Sequence, residues 1–144
     1  MLNPQEALER LRVGNRRYVA GERMANPGSL ADRRAELVAG QSPFAAIIGC
    51  ADSRVPVEQV FDQGLGDLFV TRVAGNLAAG HQVGSIEFAV TQFEIPLVLV
   101  LGHSGCAAVR GALAMLEDPE QEWPRNLKGL LEAVRPGLEG VFSG

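Results

Sequence analysis

The chain has 144 residues, of which 47% are apolar and 21% charged, and its formal net charge is −4. This length allows one domain with a single core, and the composition is that of a globular protein. Acidic residues outnumber basic ones, 17 to 13, and the arginines are scattered, so we expect no nucleic-acid-binding surface. No apolar run approaches the roughly 18 residues of a membrane span, and the first residues lack the apolar core of a signal peptide. We therefore expect a cytoplasmic protein that does not bind membranes.

The predicted elements alternate between helices and short apolar strands. A charged helix begins at Pro4, a residue favoured in the first turn, and ends near Gly21, which suits a C-terminal cap. A second helix is predicted over 29–41, with Ser29 as its N-cap. Two continuously apolar runs predict buried strands, at 43–49 and 96–102, the first of them buried on both faces, and the run LFVTRV at 68–73 predicts a further strand between them. Further helices are predicted at 57–61, 82–93, 105–117 and 126–134.

This order of elements predicts the architecture. Uniformly apolar strands that alternate with helices indicate an α/β fold, a three-layer sandwich with helices on both faces of a mainly parallel sheet of at least three strands. In such sheets, ligands bind beyond the carboxyl ends of the strands. Cys50 lies one residue past the first predicted strand, and His103 lies two residues past Leu101. Both side chains therefore fall where this architecture places an active site.

Residues 102–106, GHSGC, carry two metal-binding side chains. His103 and Cys106 are three residues apart in a turn that opens a helix, so both can face one point. Cys50, from another strand end, can supply a third ligand, and two thiolates with an imidazole suit Zn²⁺. The chain has only two Cys and two His, whereas structural zinc sites are normally closed by four protein ligands. We therefore predict a catalytic zinc site with three ligands and a fourth position that takes water or Asp52.

A carboxylate and a guanidinium follow Cys50 at steps of two. In an extended segment, residues two apart face the same side, which would place Asp52 and Arg54 beside the metal. Asp52 can accept a hydrogen bond from zinc-bound water or hydroxide, and Arg54 can hold that carboxylate ionised and oriented. Taken alone, the pair is more simply a loop salt bridge, and its shared face with Cys50 favours catalysis. Arg72, on the second strand, is expected to pair with a carboxylate.

These motifs resemble those of the β-class carbonic anhydrases. The resemblance rests on CADSRVP at 50–56 and GHSGCAAV at 102–109, and it extends through RVGNRRYVAG, GQSPFAAIIG, DQGLGDLFVTRVAGN and GSIEFAV. It implies a single domain over residues 1–144. Within this domain we expect a helical N-terminal arm (1–40), an α/β core with the zinc site (41–118) and a short C-terminal helical segment (119–144).

The resemblance also implies roles for the residues of the two motifs. Cys50, His103 and Cys106 would be the zinc ligands, and Asp52 and Arg54 the catalytic dyad. Members of the family exist in an open state, with water on the metal, and in a closed state, with the aspartate bound instead. Asp52 is thus expected to be a conditional fourth ligand of the metal.

Four further residues match positions that contact the substrate in this family. Gln41 matches a glutamine whose amide hydrogen-bonds the substrate, and Phe69 matches an aromatic wall of the CO2 pocket. Phe88 stands where tyrosine is common, so a hydroxyl is lost and the apolar wall is kept. Ala107 stands where glycine is common, and its N–H can still face an oxyanion. Family members usually continue beyond the position of Gly144, so we expect the sheet to lack an edge strand.

The resemblance implies zinc-dependent, reversible hydration of CO2 to bicarbonate by a zinc-bound hydroxide that the Asp–Arg dyad orients. It also implies a homodimer or a multiple of dimers. Two alternatives stay open: a related zinc hydrolase acting on carbonyl sulfide or carbon disulfide, and a non-catalytic, truncated zinc-binding assembly module. The sequence does not identify a proton shuttle, for which His81 is a weak candidate, since it is more simply a solvent-facing loop residue.

Overall fold

The computed structural model describes residues 2–22 and 30–138. Within these ranges, six α-helices and three strands follow the predicted order. The helices are α1 Pro4–Ala20, α2 Leu30–Glu36, α3 Val57–Val60, α4 Gly80–Phe93, α5 Ala107–Glu117 and α6 Arg125–Val134, and the strands are β1 Ala45–Gly49, β2 Leu68–Arg72 and β3 Val98–Leu101. Within the same ranges, every helix is too short or too polar to span a bilayer. The predicted N-cap Ser29 lies outside the described residues.

The three strands form one parallel sheet in the order β2–β1–β3. β1 is the central strand, and all five of its residues are buried. Its last residue, Gly49, lies opposite Arg72 of β2 and Leu101 of β3, so the three carboxyl ends form one edge. β3 is an edge strand of the described sheet, and Val98 and Val100 on it are 43% and 57% exposed, so the prediction that the third strand is buried is wrong. The predicted parallel α/β sheet is confirmed.

Helices cover both faces of this sheet. On one face, Leu11 of α1 and Val57 of α3 join Ile47 of β1 in a buried apolar cluster. On the other face, Ala89 of α4 packs with Ala46 of β1. Neighbouring residues of β1 thus point to opposite layers, as the period of a strand requires. Because β1 is enclosed on both sides, the backbone that leads into the site is held firmly.

α1 is capped at both ends. The Asn3 side chain accepts from the Glu6 N–H at 3.0 Å, and the Glu6 carboxylate accepts from the Asn3 N–H at 2.8 Å, which is a capping box. Gly21 ends the helix in the predicted position, with a left-handed φ of 73°. Arg17 pairs with Asp62 at 2.6 Å, which ties α1 to the chain just after α3. α1 therefore supports the short helix that follows the site loop.

The carboxyl edge of the sheet contains a crevice between β1 and β3. From β1 the chain crosses to β2 on one side, and from β2 it crosses back to β3 on the other side. The connections that leave β1 and β3 therefore run apart, and a crevice opens between the two strand ends. Cys50 follows β1 and His103 follows β3 by two residues, so both lie at this crevice.

Candidate metal centre

Three side chains converge at this crevice. The ligand atoms of Cys50, His103 and Cys106 all lie within 4.8 Å of one another. The two Sγ atoms are 3.9 Å apart. A tetrahedral zinc ion with Zn–S bonds of about 2.3 Å would hold two sulfurs about 3.8 Å apart. Both cysteines are buried, and the spacing of their sulfur atoms matches that of two thiolates on one zinc ion.

The turn after β3 directs two of the ligands toward one point. Gly105 has a φ of 67°, which glycine adopts without strain, and Cys106 then stands at the N-cap of α5. His103 places Nδ1 3.0 Å from the Ser104 carbonyl oxygen, so Nδ1 is the nitrogen that carries the proton. Nε2 is buried and has no hydrogen-bond partner among the described residues. A buried imidazole nitrogen with a free lone pair fits a zinc ligand.

Backbone N–H groups favour the thiolate form of Cys50. Burial by itself raises the pKa of this thiol, but the Asp52 N–H and the Gly75 N–H both donate to its Sγ, each at 3.4 Å. With His103 beside it, these donors lower the pKa of Cys50 to about 7. A thiol with this pKa is partly ionised at neutral pH and gives its proton up readily when a metal binds.

Asp52 and Arg54 form a bidentate ion pair beside this cluster. Arg54 Nε donates to Oδ1 at 2.9 Å and Nη2 donates to Oδ2 at 2.6 Å. These bonds hold the pKa of Asp52 well below its usual range and raise the pKa of Arg54. Asp52 Oδ2 lies 3.9 Å from His103 Nε2, and Arg54 also donates to the Gly105 carbonyl at 3.2 Å. An ionised carboxylate therefore stands next to the ligand atoms, and Arg54 joins the two site loops.

The loop after β1 is not extended, contrary to the prediction. Asp52 Oδ1 accepts from the Arg54 N–H at 2.9 Å, and the Val55 N–H donates to the Asp52 carbonyl at 3.2 Å, so the chain turns at 52–55. This turn is typical of aspartate, because its short side chain can bond the backbone N–H two residues on. The alternate spacing of Cys50, Asp52 and Arg54 thus identified side chains that do lie together, although the backbone between them forms a turn and not an extended segment.

Comparison with known proteins assigns the family. A family model described as carbonic anhydrase matches residues 45–143. A solved β-carbonic anhydrase from Coccomyxa, in complex with acetazolamide, superposes with a TM-score of 0.70 at 27% identity, over 79% of this chain and 51% of that one. The chain belongs to the β-class carbonic anhydrase family.

Two further relatives show how much of the family's length this chain covers. Carbonic anhydrase 2 of Mycobacterium tuberculosis is 53% identical over 116 residues, which are 81% of this chain and 56% of that protein. A tetrameric β-carbonic anhydrase from Sordaria macrospora gives a TM-score of 0.64 at 28% identity, over 78% of this chain and 54% of that one. The chain thus spans about half the length of these carbonic anhydrases.

Two of the predicted substrate residues lie at opposite ends of the site strand. Ala107 follows Cys106 and begins α5, so the helix leaves its N–H without an internal partner. Gln41 is exposed and precedes β1, whereas Cys50 follows that strand. β1 by itself is roughly 16 Å long, and Gln41 lies four residues before its start. Gln41 instead lines an open pocket with Leu65. The folded chain therefore brings Ala107 to the metal cluster but not Gln41.

The other two predicted substrate residues, Phe69 and Phe88, form an aromatic cluster with Phe93. The ring centroids are 6.0 to 6.3 Å apart. Phe69 lies opposite Ala46, three residues before the carboxyl edge of β2. This offset is roughly 10 Å along the strand. Phe88 is 54% exposed on α4. The aromatic cluster thus lies away from the metal ligands of the same chain and is partly open to solvent.

Two supporting contacts come from residues that sequence reasoning did not place in the site. The Gly75 N–H reaches the Cys50 sulfur, and the Arg72 guanidinium donates to the carbonyl oxygens of Cys50 and Asp52. Among the described residues, Arg72 forms no ion pair with a carboxylate, contrary to the prediction. The only indication in the sequence is position, because Arg72 is the last residue of the second strand, opposite Gly49, and Gly75 follows it by three residues.

Proposed function

We propose that this chain catalyses the reversible hydration of CO2 to bicarbonate, with a zinc ion held by Cys50, His103 and Cys106. One observation carries the proposal. Two buried thiols and an unpartnered imidazole nitrogen converge within 4.8 Å, beside an ionised aspartate. A structural zinc site normally has four protein ligands. Here Asp52 is engaged by Arg54, which supports a fourth coordination position that is open to the reaction.

The role of the chain's own residues is to orient the attacking oxygen. Zinc bound there would lower the pKa of a coordinated water to about 7 and so supply hydroxide at neutral pH. Asp52 Oδ2 retains a lone pair after accepting from Arg54, and it can accept the O–H of the attacking oxygen. The oxygen then turns its own lone pair toward the carbon of CO2. Arg54 keeps the carboxylate ionised, so that it acts only as an acceptor.

The reaction also needs a group that stabilises the developing negative charge and an acceptor for the released proton. As the new C–O bond forms, one oxygen of CO2 becomes anionic. The unpaired Ala107 N–H, at the N-terminus of α5, can stabilise this oxygen. The sum of the reaction is CO2 and water giving bicarbonate and one proton, which must pass to the solvent. His81, exposed at the start of α4, stays a prediction for that relay.

We also propose that the substrate pocket is completed by a second copy of the chain, in a homodimer or a multiple of dimers. Gln41 and the aromatic cluster lie too far from the metal ligands of their own chain to contact the same CO2. Phe88 is half exposed and is therefore open to contact with another copy. The tetrameric relative from Sordaria macrospora supports an oligomer. We keep the cytoplasm as the proposed location.

The test is metal analysis combined with stopped-flow measurement of CO2 hydration. We expect one zinc per chain and a kcat/KM for CO2 that exceeds that of Asp52→Asn about 100-fold or more. Carbonyl sulfide and carbon disulfide would be assayed in parallel. A zinc-loaded chain that hydrates CO2 no faster than Asp52→Asn would overturn the proposal. Turnover of the sulfur compounds alone would assign the chain to zinc hydrolysis of those substrates.

A further inference from the structure

We propose that Arg72 is a positioning residue of the metal centre. Its Nε donates to the Cys50 carbonyl oxygen at 2.8 Å, and its Nη2 donates to the Asp52 carbonyl oxygen at 2.6 Å. One guanidinium thus holds the backbone of a metal ligand and of the catalytic aspartate. The effect on turnover rests on the proposed function, whereas the effect on metal binding does not.

The bond to Cys50 fixes the direction of its thiol. The peptide that follows Cys50 is held on both sides, because its carbonyl accepts from Arg72 and its N–H, that of Ala51, donates to the Val73 carbonyl at 3.1 Å. The Val73 N–H also donates to the Gly49 carbonyl at 3.1 Å, so the peptides before and after Cys50 are both held, and together they fix the direction of its Cβ. Arg72 and Val73 come from the end of β2. The second strand therefore sets where the sulfur of Cys50 lies.

The bond to Asp52 stabilises the turn that forms the dyad. The Asp52 carbonyl accepts from Arg72 and from the Val55 N–H, so this oxygen uses both of its lone pairs. The same turn presents the Arg54 N–H to Asp52 Oδ1. Loss of Arg72 leaves the turn with a single backbone bond. The carboxylate then loses its fixed distance from the metal ligands.

The geometry needs a planar, forked donor. Arginine presents its N–H groups in a rigid plane, whereas the lysine ammonium is a compact point charge on a flexible stem. In the described part of the chain, no carboxylate forms an ion pair with Arg72. The two hydrogen bonds to carbonyl oxygens therefore do not result from a salt bridge that holds Arg72 nearby. Both carbonyl groups belong to residues of the site, Cys50 and Asp52.

The test compares Arg72→Gln and Arg72→Lys with the unsubstituted chain. Arg16→Gln is the matched control, because Arg16 pairs with Glu9 at 2.7 Å on the exposed side of α1. Zinc affinity would be measured by competition with a chromophoric chelator, and ligand geometry by the visible spectrum of the cobalt(II)-substituted protein. We expect Arg72→Gln to weaken zinc binding about 10- to 100-fold and to shift the cobalt bands. We expect Arg72→Lys to resemble the Gln variant, and the control to match the unsubstituted chain.

Turnover and folding separate this role from a general structural one. We expect kcat to fall about 10-fold or more with little change in KM for CO2, because Arg72 touches no substrate. Unchanged zinc affinity and cobalt bands in Arg72→Gln would overturn the proposal, and so would full rescue by lysine. Loss of cooperative thermal unfolding in both variants would make Arg72 a structural residue and count equally against it. If the unsubstituted zinc protein does not hydrate CO2, the proposed function fails, while the metal measurements still decide the role of Arg72.

Discussion

Two regions of the molecule differ in how far a single chain buries them. They are the carboxyl edge of the sheet and the aromatic cluster of Phe69, Phe88 and Phe93. At the edge, three ligand atoms lie within 4.8 Å of one another, and both cysteines are buried. In the aromatic cluster, Phe88 is 54% exposed. Strand ends and tight turns are sufficient to bring these ligand atoms together. The aromatic cluster is left partly open to solvent.

This difference predicts two separable properties. Metal binding should depend only on the fold of the single chain, and turnover should depend on assembly as well. Substitutions at the carboxyl edge should therefore change zinc content or the chemical step. Substitutions in the aromatic cluster should leave the zinc in place. The following changes test that separation, from the largest expected effect to the smallest.

Replacing His103 should abolish the metal centre. In His103→Ala, the two remaining thiols cannot hold zinc at full occupancy, and CO2 hydration should fall to the background rate. Zinc content by mass spectrometry and stopped-flow assay measure both effects. His81→Ala is the matched control for zinc content, since it removes the other histidine, which is exposed on α4. One zinc per chain in His103→Ala would show that the site lies elsewhere.

Replacing Asp52 should impair the chemical step and spare the metal. Asp52→Asn keeps the shape but can donate where the carboxylate only accepts, so kcat/KM should fall about 100- to 10,000-fold. Zinc content should stay at one per chain. Asp118→Asn, in the loop after α5, is the control for removing one exposed carboxylate. Loss of zinc in Asp52→Asn would make the aspartate an obligatory ligand instead.

In the metal-free chain, Cys50 should contribute stability that grows as the pH rises from about 7 to 9, whereas the pKa of His103, raised by Cys50 beside it, gives a contribution that is lost as the pH rises. Cys50 has its pKa lowered to about 7 in the folded chain from an ordinary value of 9.0, so the folded state releases this proton at lower pH than the unfolded state. The stabilisation is therefore complete above pH 9 and lost as the pH falls through 7. Urea unfolding at several pH values measures this trend, and Cys50→Ser should remove it. An identical dependence on pH in Cys50→Ser and in the unsubstituted chain would contradict the lowered pKa of Cys50.

Truncating Phe88 should have the smallest effect on the folded chain. Because the ring is half exposed but contacts two other rings, Phe88→Ala should lower the free energy of unfolding by about 1 kcal/mol. Zinc content should not change, while kcat/KM for CO2 should fall because the pocket wall is shortened. Tyr18→Ala, on the exposed side of α1, is the control. Loss of zinc from Phe88→Ala would show that the two regions are not separate.

Sequence patterns were sufficient for the parts of the molecule that depend on local chemistry. Runs rich in apolar residues identified β1, β2 and β3, but of the three only β1 is buried along its whole length, because β2 and β3 lie at the edges of the described sheet. The architecture then placed Cys50 and His103 at one edge. The role of Arg72 was not predictable, because its contacts depend on the register that sets it opposite Gly49.

The substrate residues show where sequence reasoning stops. Gln41 and Phe69 match family positions, yet a motif match gives no distance between residues on different elements. The burial of the Phe88 ring depends on the surface that covers it, and the sequence of one chain does not identify that surface. The turn at 52–55 was also missed, because alternate spacing is compatible with both a strand and an aspartate turn.

The central claim is that two sulfurs and one imidazole nitrogen of a single chain share one zinc ion. X-ray absorption at the zinc edge of the zinc-loaded chain tests it directly. We expect two sulfur scatterers at about 2.3 Å, one imidazole nitrogen at about 2.0–2.1 Å and one further light atom. A first shell with fewer than two sulfurs, or without imidazole scattering, would contradict the account.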